Sequence, residues 1–282
     1  VEEYSLREDW LGGAQIYNPL PARGDCFLQF YLADRYRVVT VASGEVHSAP
    51  RCVLVGPHVR RREDLIWTGH LNMFTVRFTS IGFWALFGVA ASAIRDVAEG
   101  AEVVLGGSVR GLEERLAAAH EDELPKVAER FLLERLRQSR VAWGCVASDG
   151  GTGLRMVETL RARDGAVPVE RLAEQFGLSV RQVERMFQEQ VGVSPKVYAR
   201  LVRLRRAMEM SGREARPDWA GIAARAGYFD QSHMVREFQA LNGATPVAFT
   251  ELGRRAREYR QTEGGAGDVA FVLSGVEAGL VA

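Results

Sequence analysis

The stretch FQEQVGVSP at 187–195 returns fifty-one residues later as FQALNGATP at 238–246. A frame used twice fixes much of what this chain can fold into, because each of its positions has a backbone meaning. Gly192 and Gly243 stand where a helix ends in a left-handed residue, Ser194 and Thr245 where the next helix needs an N-cap oxygen, and Pro195 and Pro246 in its first turn. The match extends upstream, LAEQFGLSVRQVERMF at 172–187 against IAARAGYFDQSHMVREF at 222–238. Each copy has a small residue for a close helix crossing (Ala173, Ala223), then a glycine tolerant of positive φ (Gly177, Gly227), then a cap (Ser179, Asp230) and an amphipathic helix ending in Phe. The second copy has one extra turn residue.

That layout predicts two helix-turn-helix units. Val183, Met186 and Phe187 in the first copy, and Met234 and Phe238 in the second, are expected in the core, which turns the opposite face of each second helix outward, as in helices that enter the major groove of DNA. Between the copies, PKVYARLVRLRRAMEM is read as a rod with Val197, Leu201, Leu204 and Met208 on one face and Arg200, Arg203 and Arg206 on others. About 16 residues at roughly 1.5 Å each give about 24 Å, the scale of the ~34 Å between successive major grooves on one side of B-DNA. Charge agrees. Residues 153–262 hold 19 basic and 13 acidic side chains, a net +6, against 17 and 23 elsewhere, a net −6, so the basic part is suited to a polyanion. Arg206 is the expected phosphate contact of the rod.

Before SDGGTGL at 148–154, which has linker composition, strands come first and helices after. YRVVTVASG, RCVLVGP and LNMFTVRFT read as short strands, the last alternating Phe74, Val76 and Phe78 with Met73, Thr75 and Arg77. Val109, Leu112 and Leu116 share a helical face behind the candidate N-cap Ser108. Val127, Phe131 and Leu136 share another behind Pro125, either packed on the β module or forming a dimer seam. Cys26, Cys52 and Cys145 have no disulfide or zinc spacing, and His47, His58 and His70 no partnering carboxylate or HxH pattern, so no metal and no cofactor is expected. Cys145 has no nearby His, and nucleophile-elbow, Walker and dinucleotide motifs are missing; catalysis is not expected. With an acidic first segment and no apolar run of spanning length, cytoplasm and no membrane are expected.

Residues 155–260 resemble the DNA-binding domain of the AraC/XylS family of bacterial transcription regulators, on the two long segments 172–198 and 222–249 that hold the repeat. The departures are Met234, where the family more often has an aromatic, and Tyr228, where it has Phe. More loosely, RCVLVGPHVR and VRFTSIGFWALFG resemble the sensory domains joined to such regulators, many of them cupin-like. The resemblance implies a multidomain chain: an α+β sensory and dimerisation domain at 1–147, cupin-like with amphipathic helices, then the linker, an all-α tandem helix-turn-helix domain at 155–260, and a tail of unassigned role at 261–282. It implies a sequence-specific transcription regulator, not an enzyme, responsive to an effector; the alternative is a constitutive regulator whose first domain serves protein contacts only. Implied partners are double-stranded DNA, RNA polymerase, a small-molecule effector in the first domain, and a second copy as homodimer. Carried onto outward-facing positions, the DNA contacts are Ser179, Arg181, Gln182, Glu184 and Arg185 in the first unit, and Asp230, Gln231, Ser232, His233 and Arg236 in the second.

Overall fold

A computed structural model describes residues 1–139, 151–214 and 216–252. The first part is a sandwich of two antiparallel sheets. Its strands are β1 (Glu3–Trp10), β2 (Ile16–Pro19), β3 (Phe27–Tyr31), β4 (Arg37–Thr40), β5 (Val46–Ser48), β6 (Cys52–Val55), β7 (Glu63–Trp67), β8 (His70–Arg77) and β9 (Ala98–Gly100). One sheet runs β1-β8-β3-β6-β9 and the other β2-β7-β4-β5. Among the described residues of this part, α1 (Gly82–Phe87) lies between β8 and β9, and α2 (Ala101–Leu105), α3 (Ser108–Ala118) and α4 (Leu124–Gln138) follow β9.

Side-chain alternation explains the layering, since successive residues of a strand point to opposite faces. Leu28 and Phe30, Cys52 and Leu54, and Phe74 and Val76 join a core with Val109, Leu112 and Leu116 of α3 and Ala128, Phe131 and Leu132 of α4. Their neighbours Phe27, Tyr31, Val53, Val55 and Leu71 point the other way, into a second core against Ile16, Val38, Leu65 and Trp67 of the smaller sheet. The central strands are therefore covered on both faces, which is why Thr75 and Arg77, polar in the alternation, are buried too. Cys26 and Cys52 are buried free thiols, and burial pushes both well above the ordinary thiol range; Cys145 lies outside the described residues.

One expectation needs correcting here, and one pair of alternatives is decided. Ser108 does not cap α3: it is the first helical residue, Gly107 holds the cap position, and the Ser108 hydroxyl donates to the carbonyl of Leu105. Nor do Val127, Phe131 and Leu136 share a free seam, because Phe131 is 4% exposed inside the β module's core while Leu136 is 41% exposed. The apolar face of α4 runs through Leu124, Ala128, Phe131 and Leu132, so the packing alternative holds for Phe131.

The second part is helical: α5 (Thr152–Ala162), α6 (Val169–Phe176), α7 (Val180–Gln190), α8 (Pro195–Gly212), α9 (Trp219–Arg225) and α10 (Gln231–Asn242), with residues 246–252 helical as well. The expected linker at 148–154 lies partly outside the described residues, and its last three residues open α5. The tail at 261–282 is wholly outside them. Among the described residues no helix is long and apolar enough to cross a membrane.

The two parts touch along a mixed seam, apolar where Val59 and Ile81 pack on the core of the first unit and Ala22 on that of the second, and polar elsewhere. Asp25, just before β3, takes Arg77 of β8 at 2.9 Å and Arg205 of α8 at 3.5 Å. Glu2 pairs with Arg161 of α5 at 2.8 Å. Ser80 and Tyr198 share a buried hydrogen bond of 2.8 Å. The Ala22 amide donates to Asn242 Oδ1 at 3.0 Å, and the Arg61 amide to the carbonyl of Leu241 at 2.8 Å. Gly192 belongs to this seam: its φ is +87°, and a Cβ there would lie 2.7 Å from the carbonyl oxygen of Ala91. Gly243, its counterpart in the second copy, has nothing within 4 Å of that position.

Candidate nucleic-acid interface

Each half of the repeat folds as the same turn, and its hydrogen bonds establish the register. In the first unit the Gly177 amide donates to Glu174 O at 3.2 Å and the Leu178 amide to Ala173 O at 3.0 Å; in the second, Gly227 donates to Ala224 O at 3.3 Å and Tyr228 to Ala223 O at 3.0 Å. Both glycines have positive φ, +65° and +81°, where a side chain would be strained. Ala173 and Ala223 are buried at the crossing. Ser179 caps α7 through a reciprocal box, its hydroxyl accepting from the Gln182 amide at 3.3 Å while Gln182 Oε1 accepts from the Ser179 amide at 2.9 Å. Asp230 caps α10, accepting from the His233 amide at 2.6 Å. The expected core residues Val183, Phe187, Met234 and Phe238 are buried, and Met186 is half-buried.

Opposite that core lies the candidate surface. Arg181, Gln182, Glu184 and Arg185 on α7 are exposed, as are Gln231, Ser232 and Arg236 on α10, with both caps. No intrahelical pair joins Glu184 to Arg181 or Arg185 among the described residues. Two expected contacts have other work. Gln182 gives its side-chain oxygen to the cap, leaving only its amide group to face outward. His233 is half-buried, its ring edge-on to Tyr228 at 5.5 Å, with Nδ1 accepting from the Phe229 amide at 3.5 Å.

The rod α8 holds the two units in one frame. Val197 is half-buried, and Leu201, Leu204 and Met208 are buried on the expected face. Its arginines turn inward. Arg200 and Arg203 converge on Glu237 of α10 at 2.8 and 3.3 Å, and Arg203 also donates to the carbonyl of Gly165, before α6, at 3.1 Å. Burial raises the Tyr228 hydroxyl above its ordinary pKa, and Glu237 beside it adds to the rise. Arg206, expected on phosphate, instead pairs with Asp164 and donates to the carbonyl of Arg225 at 3.1 Å, tying the start of the first unit to the end of α9. Sequence periodicity placed these arginines off the apolar face but could not tell an inner brace from an outer contact, because their acceptors lie 19 to 42 residues away.

Residues 172–252 match a family model described as a helix-turn-helix domain, from Leu172 in α6 through the end of the described chain. This segment is a helix-turn-helix domain of the AraC type. A domain of that type points to a DNA-binding transcription regulator. Among solved structures, ToxT from Vibrio cholerae O395 shares 10% identity, with 89% of this chain and 98% of that one covered and a TM-score of 0.47. The same protein bound to (E)-4-(8-methylnaphthalen-1-yl)but-3-enoic acid shares 12%, over 89% and 99%, with a TM-score of 0.49. The AraC-like transcriptional activator CuxR shares 13%, over 71% and 75%, with a TM-score of 0.27. Likeness at that level carries no argument about what this chain binds. No curated protein matches the chain.

Proposed function

We propose that the protein is a sequence-specific transcription regulator that sets α7 and α10 of its AraC-type domain into successive major grooves. One observation carries this reading: two capped helices of the same construction present unpaired polar faces while a single rod braces both. At 18 residues, the rod is roughly 27 Å long, against the ~34 Å of one DNA turn. Arg181, Arg185, Gln231, Ser232 and Arg236 are the base-edge candidates, Arg for guanine and Gln for adenine. Ser179, Asp230 and His233 hold the turns, and the N-capped helix ends suit phosphate.

The β module acts in this proposal as the control element. Its contacts fall on α5, α8 and the end of α10, which position the reading helices, and on α7 itself, against which α1 and the 91–94 turn pack, and a cavity of about 240 Å³ opens at that seam between the 21–25 segment and α8. A small effector bound there would act on both parts at once. The chain is not an enzyme in this reading, and DNA as its ligand places it in the bacterial cytoplasm. Selection of duplexes from random DNA by the full chain tests the proposal. The expected product is a motif of two short blocks about one helical turn apart; recovery without any enriched motif refutes it.

A further inference from the structure

The register of the two turns identifies the extra residue of the second copy. Leu178 and Tyr228 donate to equivalent alanine carbonyls, so they occupy the same place, and both turn inward. In the first unit the cap Ser179 follows at once. In the second, Phe229 is inserted between Tyr228 and the cap Asp230, and with the inner place taken it is displaced outward to 91% exposure. Single exposed apolar residues are ordinary on a protein surface; the place of this one sets it apart. It sits immediately before the cap of α10, at the leading end of that helix and two residues from Gln231, and its backbone is held by the bond from its amide to His233 Nδ1.

We infer that Phe229 is a specificity-determining residue of the second unit, packing its ring on the 5-methyl group of a thymine in the major groove. The inference rests on the DNA-reading function proposed above. The leading end of a recognition helix is the part that meets base edges, and thymine is the base that offers an apolar group there, one that Phe matches. The first unit has no counterpart, so the two half-sites should differ in this respect.

The test uses the full chain and its Phe229→Ala and Phe229→Leu variants. Being so exposed, Phe229 is not needed for folding, which circular dichroism of each variant would check. The wild type should enrich a thymine at one position of the block read by α10. Replacing that thymine by uracil, which removes only the methyl group, should weaken wild-type binding about fourfold, the value of burying one methyl-sized group. Phe229→Ala should bind the thymine and uracil duplexes equally, and Phe229→Leu should keep part of the difference. A motif without such a thymine, or a uracil effect of equal size in wild type and Phe229→Ala, overturns this inference and leaves the DNA-reading function standing; Phe229 would then be a protein contact. A wild type that enriches no motif overturns both.

Discussion

Replacing Glu237 by Ala should loosen the two reading helices from each other. Glu237 is 7% exposed on the inner side of α10, and its Oε1 accepts from both Arg200 and Arg203 of the rod. Removing one partner of a buried ion pair costs about 3–5 kcal/mol, because the remaining charge is left in a poor solvent. Arg203 is well buried, but the Arg200 side chain is 30% exposed and can turn to water. The cost should therefore fall to roughly 2–3 kcal/mol. For a chain of this size that corresponds to a drop of about 5–10 °C in melting temperature.

Binding is the more telling readout. While the brace holds, lengthening the spacer between the two half-sites by one base pair rotates the second block by roughly 35° about the duplex axis, at about 10 base pairs per turn, and a rigid pair of heads cannot follow. Wild type should show a sharp optimum across duplexes whose spacers differ by one or two base pairs, and Glu237→Ala a flat profile with weaker binding at the optimum. Scanning calorimetry together with that duplex series decides the matter. A variant with lowered melting temperature but a profile as sharp as wild type would refute the argument, since the ion pair would then stabilise the domain without setting its geometry.

Asp25→Ala should leave Arg77 and Arg205 without their shared carboxylate and free the rod from the β module, so that titration of non-specific DNA at low salt shows tighter binding than wild type; unchanged affinity would mean that the seam does not restrain DNA binding. Arg185→Ala should cost roughly 1–3 kcal/mol on the best site and relax one base position in selected sequences, whereas Arg206→Ala should lower the melting temperature and leave the base preferences and the salt slope as they were. Burial first, with Arg23 nearby, lowers the His58 pKa from 6.5 to about 4 against the opposing pull of its contact with the Gly56 carbonyl. The neutral ring is thus the native form: the unfolded chain takes up the proton first, so stability is complete above pH 6.5 and falls by up to about 3 kcal/mol as pH drops to 4. His58→Gln should flatten unfolding curves measured across that range, and an equal slope in the variant would refute the assignment.

The helical half was legible because its information is local. Caps, positive-φ glycines and small crossing residues act within four or five residues of themselves, and duplication gave each reading an internal control. Ser179 and Asp230 cap as expected, and Ser194 accepts from the Val197 amide at 3.3 Å. Where the cap signal stood alone it misled: Ser108 has the right residue type, but the turn from α2 enters through Gly106 and Gly107, which places it one position inside the helix. The β module was legible in three of its strands and in the buried face of α3, Val109, Leu112 and Leu116. Which strands pair, and that the central sheet is buried on both faces, depend on partners far along the chain. Phe131 was ambiguous for the same reason, since its pattern is that of any amphipathic helix and only the sheet beneath it settles which way it faces.

Net charge is the feature whose meaning changes most once the fold is known. An excess of six positive charges in the basic segment suggests a uniformly attractive surface, yet the arginines do different work according to position. Arg200, Arg203, Arg205 and Arg206 are drawn onto Glu237, Asp25, Glu209 and Asp164, and Arg161 onto Glu2. Those contacts spend cationic charge on holding the frame and on docking the β module. Arg181, Arg185 and Arg236 are exposed on the two reading helices. Releasing the β module would return Arg161 and Arg205 to the surface of the DNA-binding half while removing two nearby carboxylates. Sequence preference would stay with the reading helices, but general affinity for phosphate would rise and become more salt-dependent. Under the proposed function, a regulator built this way would change how strongly it holds DNA without changing which sequence it reads.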